Sequence, residues 1–450
     1  MFHFADYKEH YKQTIKLGVP IMLGQLGVIL VGFTDNIMIG HHSMEELAAA
    51  SFVNNFFTLA FIFGMGFSYG LTPIVSGLTA GKENYKVGII IKNSLFINFM
   101  LGLFIMFCML ALLLSLDYLN QPEELKPLII PYFIMQLASV PFVMLFNSFK
   151  QFSEGTGDTI TPMWIILGTN VINIIGNYLF IYGGLGIPEM GLNGAGIVTL
   201  SVRILTLVAF CILFTCHGKY ELFRRGFKEG IVNKLHLKDL SRLGFPISIQ
   251  MGVETASFSL SVIMMGWLGS IALAAHQIAG VITTLGFMVY YGIGAAVTIR
   301  VSTYKKWQDI RNIRRSSLAG LHIILAIAAL FIITVYACRN FMGYLFTDDV
   351  QVVKAVALLA YPVILYQVGD GLQILFANAL RGIADVKYLA YTAFICHFGL
   401  ALPIGYFCGF VLDWGIPGIW SGFPVSLTIL GLLLWRRFDQ LTSIPRGKVS

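Results

Sequence analysis

Residues 15–39 read IKLGVPIMLGQLGVILVGFTDNIMI, with Lys16 and Asp35 the only charges. A helix that crosses the hydrocarbon of a bilayer needs about 20 mostly apolar residues, and this stretch supplies them. Polar residues precede it (Tyr7-Lys8-Glu9-His10) and further apolar stretches follow, so it reads as a first membrane span and not as a cleaved leader. Eleven more segments of the same kind lie near 47–78, 88–116, 127–150, 161–183, 191–216, 243–267, 271–302, 316–338, 350–380, 388–412 and 415–435. The second, eighth and tenth exceed the bilayer thickness and are expected to tilt or project from it.

Composition agrees. Only 12% of the 450 residues are charged and mean hydropathy is +0.77, whereas soluble chains carry roughly 25% charged residues. The 46 glycines suit close helix packing in lipid. All six cysteines fall in apolar stretches without a CxxC or Cys/His metal spacing, so they are expected to act as small hydrophobes. Gly77 to Glu83 ends in Gly-Lys-Glu at the wrong spacing for a P-loop. No nucleophile elbow, HExxH or kinase signature is found, so the chain is not expected to be an enzyme or to carry a cofactor.

The placement of cations sets the expected orientation. Of 30 Lys and Arg, 26 fall in one set of loops and only Lys126, Arg339 and Lys354 in the alternate set. The heavy set includes Lys150, the run Lys219 to Arg242, Arg300 to Arg315, Arg381, and Arg446 and Lys448 at the end. This puts both termini in the cytoplasm of a multi-pass plasma (inner) membrane protein. It also explains the net charge of +7 as loops facing an anionic leaflet and not a nucleic-acid site. The one remaining cation, Arg203, lies inside a span.

The chain repeats itself. Leu17-Gly18-Val19-Pro20-Ile21 matches Leu243-Gly244-Phe245-Pro246-Ile247 at an offset of 226 residues, which also pairs Gly40 with Gly266, Thr72 with Thr298 and Val75-Ser76 with Val301-Ser302. With one residue inserted, Gly155 and Asp158 pair with Gly382 and Asp385. The expected organisation is an N-terminal six-helix lobe at 1–216, a cytoplasmic linker loop at 217–242 and a C-terminal six-helix lobe at 243–450. An even number of spans per unit gives the two bundles the same orientation, a plan common among transporters. The fold class is therefore all-α polytopic, about twelve transmembrane helices in two pseudo-symmetric six-helix bundles.

Ionisable groups in hydrocarbon cost roughly 2.5–3.5 kcal/mol at a helix centre and are functional candidates by default. Three acids stand out: Asp35, Glu254 and Asp370. Glu254 follows Arg242 by 12 residues and Asp370 precedes Arg381 by 11, which places both about 16–18 Å from the cytoplasmic end at 1.5 Å per residue. They can meet across the second lobe. None has a carboxylate at its repeat position (Val28, Ser261 and Val143 stand there), so each lobe has its own chemistry. A carboxylate in a low-dielectric cavity can hold a proton, and with neutral oxygens around it can instead coordinate Na⁺. A candidate Na⁺ site is therefore placed at Glu254 and Asp370. Asn173 and Asn177 share a helix face, with Thr199 on the next span expected to face them. Tyr366 is one turn before Asp370, and Gln277 beside His276 is a further polar candidate. Arg203 is left open between countering a carboxylate and capping a water-filled cleft. His41 and His42 are expected to be solvated.

Several motifs resemble those of the multidrug and toxic compound extrusion (MATE) transporters: Asp35-Asn36-Ile37-Met38-Ile39-Gly40 with Glu46-Leu47-Ala48-Ala49-Ala50, Gly155-Thr156-Gly157-Asp158-Thr159-Ile160-Thr161-Pro162, Ala274-Ala275-His276-Gln277, and Leu380-Arg381-Gly382-Ile383-Ala384-Asp385. The resemblance covers essentially the whole chain. Glu254 and Asp370 resemble the second-lobe acidic pair of the NorM-like branch, Asp35 the first-lobe acid, and Asn173 and Thr199 its polar neighbours. This chain has Asn177 where the family often has a second carboxylate. The resemblance implies a V-shaped pair of bundles around a central cleft, and efflux of small organic cationic or amphipathic compounds by a monomer in antiport with Na⁺ or H⁺. The alternative is a flippase for a lipid-linked oligosaccharide or other lipid of the same wider superfamily. Flippases of that kind tend to line their cavity with several cations, whereas only Arg203 lies clearly within a span here.

Overall fold

The computed structural model describes residues 6–119 and 122–443; Arg446 and Lys448 lie outside them. The described residues form fifteen α-helices and no named strand, and twelve helical segments are long and apolar enough to cross a membrane. In chain order the helices are α1 (Lys8–His42), α2 (Met44–Tyr69), α3 (Leu71–Ala80), α4 (Asn84–Leu114), α5 (Lys126–Gly155), α6 (Ile160–Tyr182), α7 (Gly191–Cys216), α8 (Glu221–Glu229), α9 (Lys234–Trp267), α10 (Ser270–Lys306), α11 (Ile310–Cys338), α12 (Val350–Gly382), α13 (Val386–Phe394), α14 (Leu402–Tyr406) and α15 (Gly415–Leu441). Backbone donors and acceptors find no water in hydrocarbon, so a spanning chain must satisfy them within helices. Ser43 punctuates the first boundary: its hydroxyl accepts from the Glu46 amide at 3.3 Å and starts α2.

The expected second span is two helices, α2 and α3, joined at Gly70. The eleventh combines α13 and α14 with π-helical turns at Ile395–Ala401 and Phe407–Val411. The stretch expected as a linker loop is largely ordered. It contains α8, whose Phe223 is buried with Phe152 and Tyr220 in one hydrophobic cluster, and α9 begins inside it at Lys234. Three cations expected in loops are buried. Lys150 (6% exposed), Arg300 (6%) and Arg381 (5%) lie in helices that run past the apolar windows. Arg300 is held by the His10 carbonyl (2.8 Å) and Thr14 Oγ1 (2.7 Å), so its burial is offset by charge-assisted hydrogen bonds.

The helices group into two compact units, residues 23–248 and residues 1–22 with 249–450. In the first, α5 is central, packing against α2, α3, α4 and α7. Its core combines a cluster around Phe57, Phe133 and Met144 with the cluster that holds Phe223. In the second, α12 packs against α10, α11 and α15. It is the most enclosed span, with 61% of its most apolar window buried against 22% for α7, so its polar residues face protein.

The repeat is built twice in side-chain detail. In the first unit Thr72 Oγ1 donates to Gln151 Oε1 at 2.6 Å, and a Cβ on Gly155 would lie 2.9 Å from Val75 and 3.1 Å from the Thr72 carbonyl. In the second, Thr298 Oγ1 donates to the Asn378 carbonyl at 2.8 Å, and a Cβ on Gly382 would lie 2.7 Å from Val301 and 3.0 Å from the Thr298 carbonyl. Only glycine permits helix backbones to approach this closely. The turn after each glycine is also shared, with Gly157 at φ +87° and Ala384 at φ +65°. An acid closes each turn: Asp158 accepts from Lys219 Nζ and from Tyr220 Oη (3.2 Å), and Asp385 from Arg437 Nε (2.7 Å).

Candidate functional site

Each unit holds a buried polar cluster around an acid in its spans. In the second unit, Glu254 on α9 accepts from Gln250 Nε2 (2.9 Å), one turn earlier, and from Gln373 Nε2 (3.3 Å) on α12. Gln373 is three residues after Asp370, so one face of α12 presents both to Glu254. Gln373 thus joins α12 to Glu254 on the face that also carries Asp370. Arg381 donates to Gln250 Oε1 at 2.6 Å, which fixes the Gln250 amide so that its nitrogen points at Glu254. Tyr290 Oη donates to Gln367 Oε1 at 2.8 Å.

Asp370 differs from its neighbours. It is 0% exposed, neither carboxylate oxygen receives a well-aligned hydrogen bond, and the side-chain donor that approaches it is the Tyr366 hydroxyl one turn earlier on α12. Gln373 Oε1 is a third orphaned oxygen in the same cluster. An orphaned buried polar atom costs about 1–3 kcal/mol, so three together need an explanation. All three are acceptors, which suit a proton or a hard cation, while Gln367 Nε2 is an orphaned donor in the same cluster. Tyr366, 3% exposed and one turn before Asp370, lies within an aromatic group formed by Phe258 (ring centroids 6.3 Å) and Trp420 (6.4 Å). Gln277 does not join this cluster: it is exposed on α10, while its neighbour His276 is buried and accepts from Trp420 Nε1 at 3.1 Å. Among the described residues no three His, Cys, Asp or Glu side chains come together as a metal-holding group.

In the first unit Asn177 Nδ2 donates to Asp35 Oδ1 at 2.6 Å and contacts Asn173 Oδ1 at 3.1 Å. The helical spacing of Asn173 and Asn177 thus turns both toward the α1 acid. Thr199 makes no hydrogen bond to them. Arg203 forms no ion pair with Asp35 or any other carboxylate among the described residues; Nη1 donates to Gln136 Oε1 (2.6 Å) and to Ser139 Oγ. At the C-terminal end of α1, two turns after Asp35, His42 is not merely solvated: it lies 2.8 Å from Glu46 and 2.9 Å from Glu189.

The residues that sequence alone left out are neutral: Gln250, Gln367 and Gln373 around the acids, Gln136 and Ser139 around Arg203. Glutamines in a span are rare enough to have drawn attention, and Gln250 and Gln373 stand one turn from the two acids.

The MatE family model matches residues 20–179 and 246–407. The chain belongs to the MatE family. The two matched segments correspond to the two copies of the repeat. Over 455 residues the chain is 31% identical to the probable multidrug resistance protein NorM of Mannheimia succiniciproducens, covering 98% of this chain and 96% of that one. It is 28% identical over 447 residues to the multidrug resistance protein NorM of Photobacterium profundum, with 96% of each covered. Among solved structures, the eukaryotic MATE transporter AtDTX14 superposes with a TM-score of 0.86 at 16% identity, covering 97% of this chain and 98% of that one. An outward-facing multidrug resistance MATE family transporter gives 0.85 at 20% identity, with 96% of each covered. These likenesses establish the family's all-helical, twelve-span transporter fold for this multi-pass chain.

Proposed function

We propose that this chain exports cationic or amphipathic organic compounds across the inner membrane by secondary active antiport with Na⁺ or H⁺. The observation that carries the reading is Asp370, fully buried beside Glu254 and the orphaned Gln373 carbonyl, with the Tyr366 hydroxyl approaching it and no well-aligned donor on either oxygen. A static structural role supplies donors to a buried carboxylate; a carrier site leaves the acceptors for the transported ion. The relatives named multidrug resistance proteins support organic compounds as the substrate class.

In this mechanism the coupling ion reaches Glu254 and Asp370, and neutralisation of the site lowers the affinity for a cationic substrate, which leaves to the outside. The ion then departs to the cytoplasm. Asp35, steadied by Asn177 and Asn173, is the first-lobe acid, with no second carboxylate to share a cation. The protein acts as a monomer with cytoplasmic termini, its lobes at 1–216 and 243–450. Linkage supplies the test: substrate binding must weaken ion binding by the same factor as the ion weakens substrate binding. Binding of a fluorescent organic cation to the purified protein should weaken as Na⁺ or proton concentration rises, and Asp370→Asn should abolish the dependence. Affinity independent of both ions would refute antiport at this site.

A further inference from the structure

Arg203 has no place in the cation chemistry above, yet it is the one cation at the middle of a span, 12 residues from the start of α7 and 13 from its end. Its surroundings hold it in one pose. The guanidinium lies over the Phe61 ring at 4.7 Å to the centroid. Gln136 Nε2 donates to Tyr132 Oη at 2.9 Å, which turns Gln136 Oε1 toward Arg203. Ser139 sends its hydroxyl hydrogen to the Gln136 carbonyl at 2.5 Å, so its lone pairs face the guanidinium. Both acceptors are neutral, and both are served by Nη1.

A guanidinium has five N–H donors, and Nη1 accounts for two of them here. Nε–H and both Nη2–H have no acceptor among the described residues. Nε and Nη2 form one edge of the planar fork, the edge that receives a carboxylate through two parallel hydrogen bonds. The same unit holds Asp35, tied to Asn177 and not ion-paired with Arg203. The Asp35 charge acts on Arg203 through space, but no carboxylate is hydrogen-bonded to the guanidinium among the described residues, and its Nε/Nη2 edge is left open.

We propose that Arg203 is a specificity-determining residue that binds an oxyanion of the transported compound through its Nε/Nη2 edge. The favoured substrates are then amphiphiles that carry a carboxylate in addition to their cationic group. This rests on the exporter reading and names its substrate class.

A dye pair isolates the carboxylate: rhodamine 6G, an ethyl ester and a cation, and its free acid, a zwitterion with the same chromophore. In proteoliposomes under an imposed ion gradient, wild type should prefer the free acid. Arg203→Gln should lose about tenfold or more in kcat/KM for the free acid, because a site built to hydrogen-bond a group loses that discrimination with its donor. It should move the ester within about twofold of wild type, which also shows that the variant folds. Arg203→Lys keeps the charge without the fork and should fall between. Equal losses for both dyes, or none, overturn the proposal and make Arg203 a packing residue. If wild type moves neither dye, the exporter reading fails, and binding of the two dyes in nanodiscs decides the Arg203 question alone. Weaker binding of the free acid only, in Arg203→Gln, supports it; unchanged affinities overturn it.

Discussion

Asp370→Asn should make the protein more stable and inactive. The native carboxylate is 0% exposed with no well-aligned donor on either oxygen, and a buried polar atom left without a good hydrogen bond costs about 1–3 kcal/mol. Asparagine has nearly the same shape and removes both the charge and one acceptor. Its new amide nitrogen can donate to Glu254, which already accepts from Gln373 at 3.3 Å on the same face of α12. Relief of one orphan and one new hydrogen bond give a net gain of about 1–3 kcal/mol. The assay is equilibrium unfolding in mixed micelles, read by tryptophan fluorescence, to which Trp420 contributes from its packing against Tyr366 at 6.4 Å. Gradient-driven transport by the same variant should drop to the passive leak. Stability surrendered at a working site is a recognised trade-off. A variant that unfolds more easily than wild type by about 1 kcal/mol, or that keeps coupled transport, would refute the claim that Asp370 is left unpaired for function.

Four further outcomes follow from the geometry. Asp35→Asn should impair transport, and the exchange Asp35→Asn with Asn177→Asp should restore part of it, because the 2.6 Å pair keeps one carboxylate and one amide; transport no better than in the single variant would count against the pair. Ala384→Gly should stabilise by roughly 0.5–1 kcal/mol, the strain of a left-handed alanine less the glycine entropy, while Gly157→Ala at φ +87° should destabilise; thermal unfolding of both variants checks the opposed signs. Asp158 lies outside the spans. Burial alone would raise its pKa, but the Lys219 ammonium and Thr161 hold it below the ordinary 3.8. The stability it contributes is present above that value and lost as pH falls through the lower folded value. The gap between wild type and Asp158→Asn in unfolding experiments should therefore stay constant from about pH 5 to 8 and close only at more acid pH. Gly382→Val should uncouple α10 from α12, since a Cβ there already meets Val301 at 2.7 Å and the Thr298 carbonyl at 3.0 Å; overpacking of this kind costs about 1–3 kcal/mol and shows as a lower unfolding midpoint.

Much of this architecture can be read before any coordinates, and what cannot has a physical reason. Spans are legible because a bilayer demands about 20 apolar residues in a row, and all twelve segments reappear as helices. Their ends are not, because helices continue past the apolar window into buried polar ground, where Arg300 and Arg381 look like loop cations in the sequence and are buried in the fold. Repetition is legible at Gly155 and Gly382, where backbone contact tolerates nothing larger. Glu254 and Asp370 stand out in the sequence as acids inside spans, whereas the Gln373 contact to Glu254 depends on how α9 and α12 pack. Rotation about a helix axis is harder to read. Gln277 and His276 are adjacent, yet one is exposed and the other is buried against Trp420. The Asn173–Asn177 spacing fixes a common face and Asn177 donates to Asp35, whereas the facing of Thr199 on a neighbouring helix depends on packing that no single segment encodes. Arg203 is visible as a charge in a span, but its pose depends on Gln136, Ser139 and Phe61, which lie 67, 64 and 142 positions away in the chain.

The most direct measurement of the central claim is efflux of a fluorescent organic cation from proteoliposomes under a Na⁺ gradient or a pH gradient, each imposed separately, for wild type and Glu254→Gln. One of the gradients should drive transport by wild type, and Glu254→Gln should abolish the drive. If neither gradient moves any cationic compound, or if Glu254→Gln transports as well as wild type, the account of a cation-coupled exporter built on the second-lobe acids is contradicted.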